Sequence, residues 1–135
     1  MSISKTLIKY HKMIPHPEGG HYVEVFRNKD VSHIYFLLEK HEFSHWHKIS
    51  KNETLHFYSG SPLTIFTSKD GINFDTVYLG SKNNFIYNVK KNTWFAMKTK
   101  GSYSLIGCTV APAFDFNDLK IAPNNWKPKK FIKNL

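Results

Sequence analysis

The sequence predicts an all-β sandwich or barrel of one domain, entered through a short N-terminal helix. Three observations carry that expectation. Nine short runs rich in Val, Ile, Phe, Tyr and Thr follow one another along the chain. Turn chemistry punctuates them at Gly60-Ser61-Pro62, Asp70-Gly71, Gly80-Ser81 and Gly101-Ser102. At 135 residues, 41% hydrophobic and 16% aromatic, the chain can bury one real core, and it contains no internal repeat or domain linker.

The elements follow in order. Ser4–His11 reads as the helix, with Ser2 or Ser4 as N-cap and Ile3, Leu7 and Ile8 apolar. Pro15 and Pro17 end it. His16–Gly20 (HPEGG) is a rigid turn, because proline fixes φ and paired glycines admit left-handed or very close backbone. The extended runs are His21–Arg27, Ser32–Leu38, Ser44–Lys48, Thr54–Ser59, Leu63–Ser68, Thr76–Leu79, Phe85–Val89, Trp94–Lys98 and Tyr103–Val110. Phe114–Ala122 reads equally well as a last strand or an irregular edge. The basic tail, about residues 123–135, is expected to pack loosely except through Trp126.

Composition narrows the class further. No run approaches the ~20 apolar residues of a spanning helix, so no membrane partner is expected. The N-terminus lacks an apolar h-region and a small-residue cleavage site. Cys108 is the only cysteine, which excludes an intrachain disulfide and fits a buried, reduced thiol in a cytoplasmic protein. The net charge of +9 invites a nucleic-acid reading. It is set aside, because the lysines are scattered and Arg27 is the only arginine. Phosphate readers exploit the planar arginine fork. A lone arginine in a lysine-biased chain suggests that planar geometry matters at position 27, although a rim ion pair or chance explains it as well.

The chemistry-bearing stretch is Ser44–Gly60, SHWHKISKNETLHFYSG. Side chains at i and i+2 of a strand point to one face, so His45 and His47 are expected to aim into one space. Together with Glu53 they could hold a divalent metal, Zn, Fe, Mn or Ni, with water completing an open site. The competing reading is that His47 and Glu53 simply hydrogen-bond to each other in a polar pocket. If Glu53 faces inward, Leu55 and Phe57 share its face. His56 and Tyr58 then fall mainly on the other face, as a reserve acid or base, or as a contact surface. The phase of the His21–Arg27 run groups Arg27 with His21, Val23 and Val25, against Tyr22, Glu24 and Phe26.

His45, His47, Glu53 and Gly60 resemble the first cupin motif, although five residues separate His47 from Glu53, one more than usual. In the second motif Lys90 and Asn92 stand where proline and glycine are expected, and Phe95 stands at the third histidine. His16–Arg27, Ile34–Leu38, Ser44–Gly60, Asp70-Gly71, Trp94–Ala96 and Tyr103–Phe116 together resemble the cupin_5 (DUF985) family in six ordered blocks. Ala113 is a further departure, at a position where the family tends to have glycine. The resemblance implies a cupin jelly-roll β-barrel, a homodimer, and a pocket inside the barrel for a small-molecule ligand. Its likeness to sugar-nucleotide epimerases is one of fold, which does not settle function.

Three functions are therefore expected to compete. The first is a metal-independent isomerase or epimerase on a sugar-like or carbonyl ligand. There His47 is the base, Glu53 orients it or acts as the acid, and His56 or Tyr58 is a reserve donor. The second is a metal-dependent dioxygenase or hydrolase using His45, His47 and Glu53, which the missing histidine at Phe95 disfavours. The third is a non-catalytic ligand-binding module. His16, Glu18 and Arg27 are candidates for the pocket rim, and Trp94 or Phe95 for an apolar or stacking wall.

Overall fold

The computed structural model describes residues 1–135. The helix α1 spans Ile3–His11 and is capped by the Ser2 hydroxyl, which accepts from the Lys5 N–H. Twelve strands follow. They are β1 (Ile14–Pro15), β2 (His21–Arg27), β3 (Ser32–Glu39), β4 (Ser44–Ile49), β5 (Asn52–Gly60) and β6 (Leu63–Ser68), then β7 (Asn73–Leu79), β8 (Ile86–Val89), β9 (Trp94–Thr99), β10 (Tyr103–Ala111), β11 (Leu119–Ile121) and β12 (Lys130–Phe131). All nine expected runs are strands.

They form two six-stranded sheets, ordered β1-β2-β3-β10-β5-β8 and β11-β4-β9-β6-β7-β12. The chain crosses between the sheets after β3, β4, β5, β7, β8, β9 and β10, so most sheet neighbours are distant in sequence. This is a jelly-roll barrel. Between the sheets lie Phe36, Leu38, Leu55, Leu63, Ile65, Leu79, Phe95, Met97 and Ile106, all at 0–1% exposure. Burying each contributes on the order of 2 kcal/mol. Phe57 packs against this core, so Glu53, Leu55 and Phe57 do share the inner face. No helix is long and apolar enough to cross a membrane.

Two segments are settled in detail that the sequence left open. Phe114–Ala122 resolves into a short 3-10 turn, Phe116–Asp118, followed by β11 against β4. The tail is better anchored than its polar composition suggests. Trp126 packs on Trp94 and Trp46, with ring centroids 4.7 and 6.2 Å away, and β12 adds a parallel edge to β7. Asn92, in the turn before Trp94, adopts φ 62° and donates its N–H to the Ile49 carbonyl. Asparagine tolerates that left-handed backbone better than most residues, so the turn survives without the glycine.

Candidate functional site

One end of the barrel holds a cavity of about 260 Å³, near the lower end for small-ligand sites. His47, Glu18 and Glu53 form its polar floor, and Tyr22, Ile34, Ile49 and Val110 contribute much of its apolar wall. Glu24 and Arg27 stand at its half-exposed mouth.

Backbone irregularities decide who faces this space. On β4, Ser44 pairs with Met97 and His47 with Phe95, so β4 carries one residue more than β9 between those pairs. This bulge sends Ser44 and His47 inward together. His45, expected on the same face as His47, instead turns away, and its Nε2 lies 2.9 Å from the Pro123 carbonyl oxygen. On β2, Glu24 pairs with Ile34 and Phe26 with His33, leaving Val25 as the extra residue. Arg27 therefore joins Tyr22 and Glu24 at the cavity, contrary to the simple strand phase. Its Nε and one terminal nitrogen bind the two Glu24 oxygens at 3.0 and 2.9 Å.

Glu18 arrives from the HPEGG turn. The His45 N–H donates to the Glu18 carbonyl at 2.7 Å and docks the turn onto β4. Gly19 permits the approach: it has φ 111°, and a Cβ there would collide with the Phe43 carbonyl oxygen. The Glu18 side chain is thus buried at the centre of the site, not at its rim. His47 Nε2 lies 2.5 Å from Glu18 Oε2, while its Nδ1 lies 2.6 Å from the His45 carbonyl oxygen. Nδ1 must donate to that carbonyl, so Nε2 meets the carboxylate either as a bare lone pair or as N–H⁺. The approach is off the line of an aligned hydrogen bond, and the contact is first an ion pair.

Burial opposes charge on both groups, but their mutual attraction outweighs it. His47 is raised above the ordinary imidazole value, and Glu18 is lowered below the ordinary carboxyl value. The site therefore holds an imidazolium–carboxylate pair, with Glu18 in the orienting position that the sequence reading assigned to Glu53.

Glu53 stands apart. Burial, reinforced by the Glu18 charge, pushes its carboxyl up to about 7, and its Oε1 has no hydrogen-bond partner. Cys108 lies beside it, and burial holds that thiol well above its ordinary value, hence protonated. His16 lines the same cavity. Burial, helped by the His47 charge, lowers its pKa against the pull of Glu18.

The remaining candidates lie elsewhere. His56 and Tyr58 are on the outer face of the β3-β10-β5 sheet: His56 Nε2 is 3.2 Å from the Thr109 hydroxyl, and Tyr58 covers Gly107 and packs edge-on to Tyr35. Neither reaches the cavity, so the reserve-donor role lapses. Trp94 belongs to the outer aromatic cluster with Trp126. Phe95 packs against the His47 ring at 4.0 Å between centroids, backing the site without lining it. The residues missed were Tyr22 and Glu24, hidden by the β2 bulge, and Phe114, Phe116 and Leu119, which come from the ambiguous segment. The inward alternation of Ile106, Cys108 and Val110 was a readable signal for Cys108.

As a metal centre His45, His47 and Glu53 do not fit, because His45 is turned out and His47 Nε2 is held by Glu18. The cluster of three potential ligands whose donor atoms lie within 4.8 Å of one another is His21, Glu39 and Glu42, outside the cavity. There Ser4 and Lys5 already bind the two Glu39 oxygens at 2.7 and 2.8 Å.

A jelly-roll barrel enclosing a ligand-sized cavity with buried acid–base groups defines a protein of the cupin class. Residues 5–122 match the Cupin_5 family, described as Cupin superfamily (DUF985), and the chain belongs to that family. It is similar to a protein from Shewanella oneidensis, with 30% identity over 90% of this chain and 85% of that one, at a TM-score of 0.85. A hypothetical protein from Leishmania major shares 27% identity over 90% of this chain and 88% of its own, at a TM-score of 0.81. Oxalate decarboxylase from Lactobacillus farciminis, in a formate complex, matches 81% of this chain with 33% of its own, at a TM-score of 0.65. At 13% identity it shows the fold alone. No curated protein matches the chain.

Proposed function

We propose that the chain is a metal-independent isomerase or epimerase acting on a small, sugar-like or carbonyl ligand. The observation that carries this reading is Glu53, a buried carboxyl with a free oxygen and a pKa near 7, beside the Glu18–His47 ion pair. Acid–base catalysis works best through a group that titrates near the working pH. Glu53 therefore takes the proton-transfer role first given to His47. His47, held charged by Glu18, is the acid, and the apolar wall excludes water from the exchange.

The test is a set of neutral metabolite-sized compounds incubated with the protein in D2O and weighed by mass spectrometry. The wild type is expected to load one deuterium onto a bound compound. Glu53→Gln should still bind that compound, seen as a thermal shift, without loading it. Compounds that bind the wild type and never exchange would instead identify a non-catalytic binding module. We also propose a cytoplasmic homodimer, on the family resemblance. Light scattering that gives a 15.8 kDa species at micromolar concentration would overturn the dimer.

A further inference from the structure

His16 carries more information than its place on the cavity wall. The Glu18 N–H donates to His16 Nδ1 at 3.1 Å. A neutral ring that accepts at Nδ1 bears its proton at Nε2. Glu18 Oε1 lies 3.5 Å from the same Nδ1 and favours a second proton, but burial and the nearby His47 charge oppose it. Edge contacts with Tyr22 and Phe36, at 4.7 and 5.6 Å between centroids, fix the ring plane. The side chain is 7% exposed, and no protein acceptor takes up Nε2. The cavity therefore contains one immobilised, neutral N–H donor and one buried carboxyl oxygen, Glu53 Oε1, that lacks a partner.

The full charges are already matched, Glu18 with His47 and Glu24 with Arg27. An ionic ligand would have to displace one of these partners. A neutral ligand needs only an acceptor for His16 and a hydrogen for Glu53.

Resting on the acid–base reading above, we propose that His16 binds the carbonyl oxygen of the substrate through Nε2–H, and that the substrate is a small neutral carbonyl compound with hydrogen on the adjacent carbon. The Glu53 carboxylate takes that proton. The C–H electron pair becomes the C=C bond of an enolate, and the carbonyl π pair moves to the oxygen, where His16 N–H meets the developing charge. Return of the proton from Glu53 to carbon closes the cycle, with no oxidant or co-reactant. A neutral imidazole suits this role because it polarises the oxygen without giving up its proton.

Two measurements on the full chain test it. The first is the nitrogen correlation spectrum of the histidines, in which His16 at pH 7 is expected to show the Nε2–H tautomer. A proton on Nδ1 overturns the proposal. The second is deuterium entry beside the carbonyl of dihydroxyacetone, hydroxyacetone and glyceraldehyde in D2O, with glycerol as a carbonyl-free control. His16→Ala is expected to slow entry about 100-fold. His16→Gln, which keeps a side-chain N–H, should recover part of the rate. Exchange that needs Glu53 but is unchanged in His16→Ala overturns the role of His16 and leaves the isomerase reading standing. No exchange with any of the three compounds overturns the carbonyl assignment, and the wider screen above then decides the isomerase reading separately.

Discussion

Glu53→Gln should make the protein more stable, and increasingly so as pH rises from 4.5 to 7. The buried carboxyl titrates at about 7 in the folded chain against 4.5 for an ordinary glutamate. Between those values the native state keeps a proton that the unfolded chain has lost, so stability falls with pH. The slope is about 1.4 kcal/mol per pH unit. Over the 2.5-unit window it accumulates to about 3 kcal/mol, constant above the folded value and absent below the unfolded one. Glutamine cannot ionise and keeps the shape, so the variant escapes the penalty. With a urea m-value of ~2 kcal/mol/M, its midpoint should move up by ~1.5 M relative to wild type between pH 4.5 and 8. The assay is a pair of urea melts at half-unit pH steps, read by fluorescence of the three tryptophans. Any constant offset comes from the substitution itself, and only the pH-dependent difference counts. Parallel curves across this window would show that Glu53 is not held in its protonated form. The reasoning about burial and the Glu18 charge would then fail with them.

Three further outcomes follow from the same geometry. Glu18→Gln removes the partner that keeps His47 charged, so burial takes over and the ring should titrate below 6.5 in an NMR titration. Unfolding should show the loss of a contribution that wild type has above pH 4.5 from Glu18 and below pH 6.5 from His47. Breaking a buried pair on one side costs about 3–5 kcal/mol, expected in full at pH 5.5 inside that window, and a smaller loss there would mean the pair is not formed. Gly19→Ala should cost about 2 kcal/mol or more, from positive φ and the collision with the Phe43 carbonyl. It should also loosen Glu18, so a melt identical to wild type would refute the docking of the turn. Phe95→Ala should cost about 3–5 kcal/mol in a urea melt and leave a void beneath His47.

Periodicity and turn chemistry made the strands legible, because β-branched and aromatic runs broken by Gly, Pro and Asp report local backbone preference directly. The inner face of β5 was legible for the same reason: Glu53, Leu55 and Phe57 keep a strict alternation to the core. His45 was misplaced, and Arg27, expected at the rim and found there, was grouped with the wrong strand neighbours, because an extra residue in one strand leaves no mark on composition. It shows only in the pairing of Ser44 with Met97, or of Phe26 with His33, and those are non-local facts. Glu18 was visible as part of HPEGG, but its position depends on a turn folding back onto β4. In the tail the Trp126 anchor was legible, but the pairing of β12 with β7 and the contact of Phe131 with Phe74 were not, because both are non-local.

The two bulges share one consequence that a regular barrel could not produce. If β4 ran through these residues as a regular strand, His47 would fall on the face opposite Ser44 and leave Glu18 buried without its cation. If β2 ran regularly through Val25, Phe26 would take the place of Arg27 beside Glu24. Each bulge therefore delivers the positive partner of an acidic residue that a turn or a neighbouring strand position had already brought to the cavity. Glu53 is the carboxyl for which no such partner is supplied. Burial is the main reason its pKa is raised, and the Glu18 charge adds to it against the pull of His47. An isolated carboxyl in an apolar barrel would also be protonated, but one that titrates near neutrality beside a fixed ion pair can both take and return a proton. On the proposed reading the unpaired residue is the one on which the chemistry turns, and burial together with the Glu18 charge sets its pKa.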